Sequence, residues 1–270
     1  MVGPPVVMDS PSSVTISRPE ENVWVLSMER KPDNRLSKEM LALLAKRLDE
    51  VEAEWRTKNA GKADKDKVGG AVIFDTHVAK FWSNGFIPAF LTRPGFKEQY
   101  VNPLLIRVMN YPLVTVAAIS GHCFAGGMLL ALACDFRIMG SKSGWISMNE
   151  LLIGLPLQTG SGAILRSKIT DANTLRDVML GKRWTALEAA DAGLIDEVVD
   201  NVADPGAVTG RAIELAEEHL PKVALGTWGS IKKGLYNWVG ETLLTNPPAV
   251  HPEQESIAFF DRLEREKAKL

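Results

Sequence analysis

Residues 112–140, PLVTVAAISGHCFAGGMLLALACDFRIMG, decide the reading of the fold. The β-branched run at 112–120 predicts a buried strand, GGMLLALA (126–133) a helix, and DFRIMG (135–140) a second strand. Strand, helix and strand within thirty residues predict an α/β core with largely parallel pairing. Between the apolar segments stands a glycine pair, Gly126 and Gly127. Glycines at such a junction serve a tight turn or close helix packing. They also let a backbone N–H at a helix N-terminus approach a ligand oxygen, where the helix dipole favours negative charge. The spacing in GHCFAGG is not G-x-G-x-x-G and no P-loop lysine follows, so neither nucleotide fingerprint is present.

The same alternation continues on both sides. Residues 14–17 and 23–28 read as short strands joined by a charged turn, RPEEN. From residue 33 the pattern becomes helical, with Leu41, Leu43, Leu44, Leu48, Val51 and Trp55 at three- and four-residue spacing. Ser37 followed by Met40 gives only a partial capping pattern. A lysine-rich polar loop (58–67) leads to a strand at 71–76, and SNG (83–85) signals a turn. Residues 97–110, 161–180 and 185–194 are expected to be helical, 195–200 to form a strand, and everything from 206 onward to be helix. The expected organisation is an N-terminal extension over 1–13, an α/β core over 14–200 that holds the site, and a helical region over 201–267.

Of the 270 residues, 46% are hydrophobic and 24% charged, and the formal net charge is −2, so no strong field favours nucleic acid or an anionic membrane. The one lysine-rich stretch lacks the interleaved aromatics of a single-strand binder. No uninterrupted apolar run reaches the ~18 residues of a membrane span. The start, MVGPPVVMDSPSS, lacks the basic-then-apolar order of a secretory signal. Cys123 and Cys134 lie in apolar surroundings and read as reduced, buried thiols. The four histidines show no metal-ligand spacing. The chain ends Ala268-Lys269-Leu270, similar to a C-terminal peroxisomal address, against the plainer alternative of a helix that stops at leucine.

Three pieces of chemistry stand out. A single N–H donor at Gly126 would be half of an oxyanion hole, and the other half should come from another strand end. WSNGFI (82–87) supplies a candidate: Gly85 permits a turn that leaves the Phe86 N–H free to face a cleft, although an ordinary turn would look the same. Glu150 is the sole formally charged residue between Ile146 and Leu157. A carboxylate in such company is desolvated, which raises its pKa and suits it to act as a base near neutral pH; the alternative is a glutamate on a solvated helix face.

Taken together, PLVTVAAISGHCFAGGMLLALACDFRI, FWSNGF and MNELLIGLPL resemble the crotonase superfamily of enoyl-CoA hydratases and isomerases, with RWTALEAADAGLIDEVVD continuing the likeness. The resemblance implies a spiral of ββα units forming two sheets, followed by a helical trimerisation region, and an assembly that is a homotrimer or a dimer of trimers. It implies an acyl-CoA thioester as ligand, with coenzyme A as part of the substrate and no separate cofactor or metal. The thioester carbonyl would lie between the N–H groups of Phe86 and Gly126. Asn34, Arg35 and Leu36 resemble the loop beside the coenzyme A moiety, where backbone contacts rather than a unique side-chain role are expected, and Ile87, Leu129, Leu155 and Pro156 fall at substrate-lining positions.

The pattern departs from the family's hydratases at one position. These keep two glutamates; here Glu150 matches one, and Leu129 stands where the other belongs. The aspartate common after the first oxyanion residue is also missing, with Ile87 in its place. Hydration of a 2-enoyl thioester calls for a base and an acid, whereas moving a double bond from C3 to C2 needs one carboxylate that takes a proton at C2 and returns it at C4. The expectation is therefore a Δ3,Δ2-enoyl-CoA isomerase similar to the peroxisomal isomerases of plants and fungi. That strengthens the reading of the last three residues as an address for the peroxisomal import receptor; without it the chain would be cytoplasmic. Two alternatives remain: a hydratase or dehydratase acting on a branched, mevalonyl-type acyl-CoA, similar to fungal proteins of siderophore acyl supply, and a non-catalytic acyl-CoA-binding scaffold subunit.

Overall fold

The computed structural model describes residues 10–91, 93–245 and 249–267. Strand β1 (Ser13–Glu20) pairs antiparallel with β2 (Val23–Glu29). The charged segment expected to be a turn is mostly strand. Arg18, Pro19 and Glu20 prolong β1 through an irregularity, and the turn is only Glu21-Asn22, with Asn22 at φ 63. Proline is tolerated there because β1 is an edge strand. Beyond β2 the large sheet is parallel: β3 (Ala71–Thr76), β5 (Val114–Ile119), β7 (Phe136–Gly140) and β9 (Glu197–Val199), in the order β1-β2-β3-β5-β7-β9. Three very short strands, β4 (Phe81–Ser83), β6 (His122–Phe124) and β8 (Ile146–Ser147), form a second parallel sheet. Each successive unit gives one strand to each sheet before its helix, which is the ββα repeat expected from the resemblance.

Both faces of the large sheet are covered, and the strand residues divide by parity. Trp24, Leu26, Met28, Val72 and Phe74 face the principal core, which contains α1 (Lys38–Asn59), α3 (Asn102–Met109), α4 (Gly126–Ala133) and α5 (Thr159–Lys168). Between α1 and α3 lies α2 (Pro88–Leu91). Val23, Val25, Ala71, Ile73, Val114 and Val116 face the other way, against Val208, Ala212 and Leu215 of a later helix. Helix α1 begins at Ser37, whose Oγ accepts from the Met40 N–H at 3.1 Å. It buries Met40, Leu41, Leu44, Leu48, Val51 and Trp55, and each large apolar side chain so buried is worth about 1.5–3 kcal/mol.

The helical stretch expected at 161–180 is two helices, α5 and α6 (Ala172–Met179), with Asp171 capping the second through Thr174 N–H at 2.7 Å. Helix α7 (Ala186–Asp191) opens with a complete capping box between Thr185 and Glu188. The last third divides three ways. Helix α8 (Ala207–His219) roofs the outer sheet face, α9 (Trp228–Thr245) packs on α3 and α5, and α10 (Pro252–Lys267) buries none of its residues. Helix α9 is anchored by a buried ion pair, Lys232 Nζ to Asp135 Oδ2 at 2.9 Å, and Trp228 Nε1 donates to the same oxygen at 3.0 Å. Cys123 and Cys134 are both buried and free. Among the described residues no helix is long and apolar enough to cross a membrane. Ala268, Lys269 and Leu270 lie outside the described residues.

Candidate active site

Because the small sheet is parallel, its strand-ending loops emerge on one edge. Phe86 follows β4, Gly126 follows β6 and Glu150 follows β8, each within two or three residues of its strand. A cavity of ≈ 560 Å³ opens along this edge, and its wall includes Arg35, Phe86, Leu129, Glu150, Leu155 and Pro156 from the sequence-predicted set.

The first loop is held by a dense set of hydrogen bonds. Gly85 sits at φ 76, and the Leu36 N–H donates to its carbonyl at 2.8 Å. Ser83 Oγ donates to Asn34 O at 3.0 Å and accepts from the Gly85 N–H at 3.2 Å. Arg35, paired with Asp33 at 3.0 Å, donates to the Phe86 carbonyl at 3.2 Å. The Phe86 N–H has no hydrogen-bond acceptor among the described residues. The segment 33–36 is thus the brace of the Phe86 turn. Asn34 and Leu36 are buried within it, and Asn34 Nδ2 donates to Trp82 O at 2.8 Å, so of this trio only Arg35 reaches the cavity. Ile87 lies outside the lining and accepts from the Phe90 N–H at 2.9 Å. Sequence reasoning missed Asp33, Ser83 and Asn84, whose bonding is visible only once residues about fifty apart are brought together.

The glycine pair is explained by contact. A Cβ on Gly127 would lie 2.8 Å from that of Ser83, and one on Gly126 would lie 2.6 Å from Phe86 Cζ. A Cβ on Gly85 would come within 3.2 Å of Gly126 N, so the two candidate donor loops abut. Ala125, the residue before α4, is held at φ 53, a backbone region that non-glycine residues rarely adopt, and its N–H donates to Ser147 O at 2.9 Å. As the first residue of α4, Gly126 has an N–H that no helical carbonyl can meet, and no described residue accepts from it.

Glu150 begins a single 3₁₀ turn, Leu151–Ile153, closed by Gly154 at φ 67 and by the Leu155 N–H donating back to Glu150 O at 3.0 Å. The turn leaves Leu151, Leu152 and Ile153 exposed, while Ile153 and the Glu150 carboxyl line the cavity. Its Oε2 is buried with no hydrogen-bond partner. Burial pushes the carboxyl above its ordinary pKa, partly opposed by its own backbone N–H and by Lys97. Among the described residues that line the cavity, Glu150 is the only carboxylate; the basic side chains there are Arg35, Lys97 and His251. Leu129, one turn into α4, is 2% exposed and gives this wall an apolar surface. Gly126 is not itself in the lining, which its neighbour Ala125 reaches; the arrangement holds two unengaged main-chain donors near this edge, one carboxyl with a raised pKa and an apolar wall. No group of three or more potential metal ligands occurs among the described residues.

Comparison with known proteins bears on the family and the fold. The enoyl-CoA hydratase/isomerase family model matches residues 18–227. The peroxisomal enoyl-CoA delta isomerase 2 of Arabidopsis thaliana is 30% identical over 187 residues, 65% of this chain and 77% of that protein. A putative enoyl-CoA hydratase of Thermus thermophilus is 33% identical over 205 residues, covering 73% and 72% of the two chains. The apo structure of an enoyl-CoA isomerase from Mycobacterium tuberculosis superposes with a TM-score of 0.70 at 22% identity, covering 85% of this chain and 93% of that one. Human mitochondrial Δ3-Δ2-enoyl-CoA isomerase gives 0.61 at 24% identity over 94% and 99%. Together, the repeat of paired short and long strands, the site at one sheet edge and the match over residues 18–227 place this chain in the enoyl-CoA hydratase/isomerase family.

Proposed function

We propose that this protein is a Δ3,Δ2-enoyl-CoA isomerase. The observation that carries the reading is that Glu150 is the one carboxylate among the described residues of the cavity wall, with apolar Leu129 in the same lining. In this scheme the thioester oxygen accepts hydrogen bonds from the Phe86 and Gly126 N–H groups. Glu150 takes a proton from C2, the electron pair moves onto the thioester oxygen as a dienolate, and the resulting carboxylic acid delivers the proton to C4. The double bond thereby passes from C3 to C2 with no net gain or loss of atoms. Each oriented donor contributes about 3–4 kcal/mol to the charged intermediate, and the raised pKa of Glu150 brings it closer to the optimum for a group that must both accept and return a proton. Leu129 leaves no second acid to activate water. A peroxisomal location is part of this reading by analogy with the named plant isomerase.

The test is to give purified protein 3-enoyl-CoA and 2-enoyl-CoA in parallel and identify the products. Rapid formation of 2-enoyl-CoA with little 3-hydroxyacyl-CoA is the expected result. Hydration of a plain or branched 2-enoyl thioester, with 3-enoyl-CoA untouched, would replace the isomerase reading with the hydratase one. Binding without turnover of either would favour a scaffold subunit.

A further inference from the structure

Lys97 lies in a single π-helical turn, Lys97–Val101, that leads directly into α3. It lines the same cavity as Glu150, yet its ammonium makes no hydrogen bond or ion pair with any described residue. The other lining cation, Arg35, is already bonded to Asp33 and to the Phe86 carbonyl. Lys97 is half-buried and lines a cavity whose wall also includes the apolar Val101, Leu129 and Leu155. Of the acids whose fields reach it, Glu98 is solvent-exposed and Glu150 sits in the same wall beyond ion-pair distance. Burial accordingly lowers the Lys97 pKa, with Glu98 and Glu150 opposing that shift.

An ammonium among apolar groups keeps its charge only while water or an acceptor solvates it. A hydrocarbon acyl chain filling this cavity would remove water from Lys97 and supply no acceptor. A chain ending in a carboxylate would supply one, as a charge-assisted bond in a partly dry site. Resting on the acyl-CoA reading above, we infer that Lys97 is a specificity-determining residue that selects acyl-CoA thioesters whose acyl chain carries a terminal carboxylate over those with a plain hydrocarbon chain.

The test measures binding of unreactive saturated ligands by calorimetry, so it stands apart from whether the enzyme isomerises or hydrates. Wild-type protein, Lys97→Met and Lys97→Arg are titrated with coenzyme A, hexanoyl-CoA, adipoyl-CoA, octanoyl-CoA and suberoyl-CoA. Wild type should bind the better-fitting diacid thioester about ten-fold tighter than its plain counterpart. Lys97→Met should lose that preference and bind the plain thioester as well or better, Lys97→Arg should retain it, and affinity for coenzyme A alone should not change. Absence of the preference in wild type overturns the inference and needs no variant to fold. A loss in Lys97→Met that is equal for all ligands, coenzyme A included, overturns it too, because Lys97 would then be meeting a phosphate. Absence of isomerase turnover with the diacid preference intact would count against the reaction assigned above and leave the specificity assignment standing.

Discussion

The ring of Phe86 occupies the volume that a side chain on Gly126 would fill: a Cβ there would lie 2.6 Å from Cζ and 2.7 Å from Cδ2. The two candidate oxyanion donors are therefore mutually positioned, and the glycine at 126 is required by the phenyl group at 86. Gly126→Ala should displace that ring and with it the Phe86 N–H. Overpacking of this kind costs about 1–3 kcal/mol of stability, while misaligning one oxyanion donor costs about 10²–10³ in kcat. Parallel denaturant titration and kinetics check this; full turnover in a folded variant would show that the pair serves packing alone.

Glu150→Gln keeps the shape of the side chain and removes the base. Turnover should fall by at least about 10³ with acyl-CoA affinity nearly unchanged. The pH dependence has a defined sign. Burial holds the folded pKa of Glu150 above its unfolded value, so ionising it opposes folding, and its favourable contribution disappears as pH rises through the raised pKa. Glu150→Gln should thus melt higher than wild type at neutral pH, and the difference should vanish below the ordinary glutamate value of about 4.3. In wild type the acid limb of kcat should lie above that same value. Thermal melts and rates across a pH series measure both.

Leu129→Glu puts a second acid beside Glu150 in the cavity wall. Two close carboxyls split their pKa values, which supplies the acid–base pair that hydration needs. Hydration of 2-enoyl-CoA should rise above the wild-type level while isomerisation falls. The gain is limited by the several kcal/mol needed to bury a new charge unless water enters with it. Product analysis by chromatography decides the matter, and unchanged hydration in a folded variant would count against Leu129 as the residue that blocks it.

Lys232→Ala should destabilise the protein by about 3–5 kcal/mol, because it leaves Asp135 buried with only the neutral donors Thr115 N and Trp228 Nε1. Since α9 also holds Asn102, whose amide donates to Leu243 O at 2.8 Å, loosening it should weaken acyl-CoA binding as well. Equilibrium unfolding and calorimetry test the two parts separately.

The long elements were legible because their patterns span several residues: α1 from its apolar spacing, and β3, β5 and β7 from their β-branched runs. The small sheet was not legible as strands. Two- or three-residue strands such as His122–Phe124 and Ile146–Ser147 are too short for alternation to register, and they exist because parallel neighbours supply their hydrogen bonds. At the site, Glu150 was singled out from its isolation among apolar residues, and Gly126 and Phe86 from their turn chemistry; Glu150 and Phe86 line the cavity. Asn34 and Leu36 were read as part of a loop beside the coenzyme A moiety, contacting it through backbone; the burial of their side chains is set by the distant Ser83–Gly85 turn, which local sequence does not encode. Lys97 escaped notice because an ordinary-looking lysine in KEQYV gives no sign that a π turn places it in a cavity wall.

Phe86, Gly126 and Glu150 occupy equivalent places in three successive repeats, yet they contribute different kinds of atom. The first two offer main-chain nitrogen, which persists through almost any substitution that respects the local fold. The third offers a side-chain oxygen, which a single substitution abolishes. Under the proposed mechanism, recognition of the carbonyl would be inherited with the architecture, while the reaction performed on it would hang on very few side chains. On that reading, such a scaffold could drift from one acyl-CoA chemistry to another through changes at the third turn and at Leu129, without rebuilding the place proposed for the thioester.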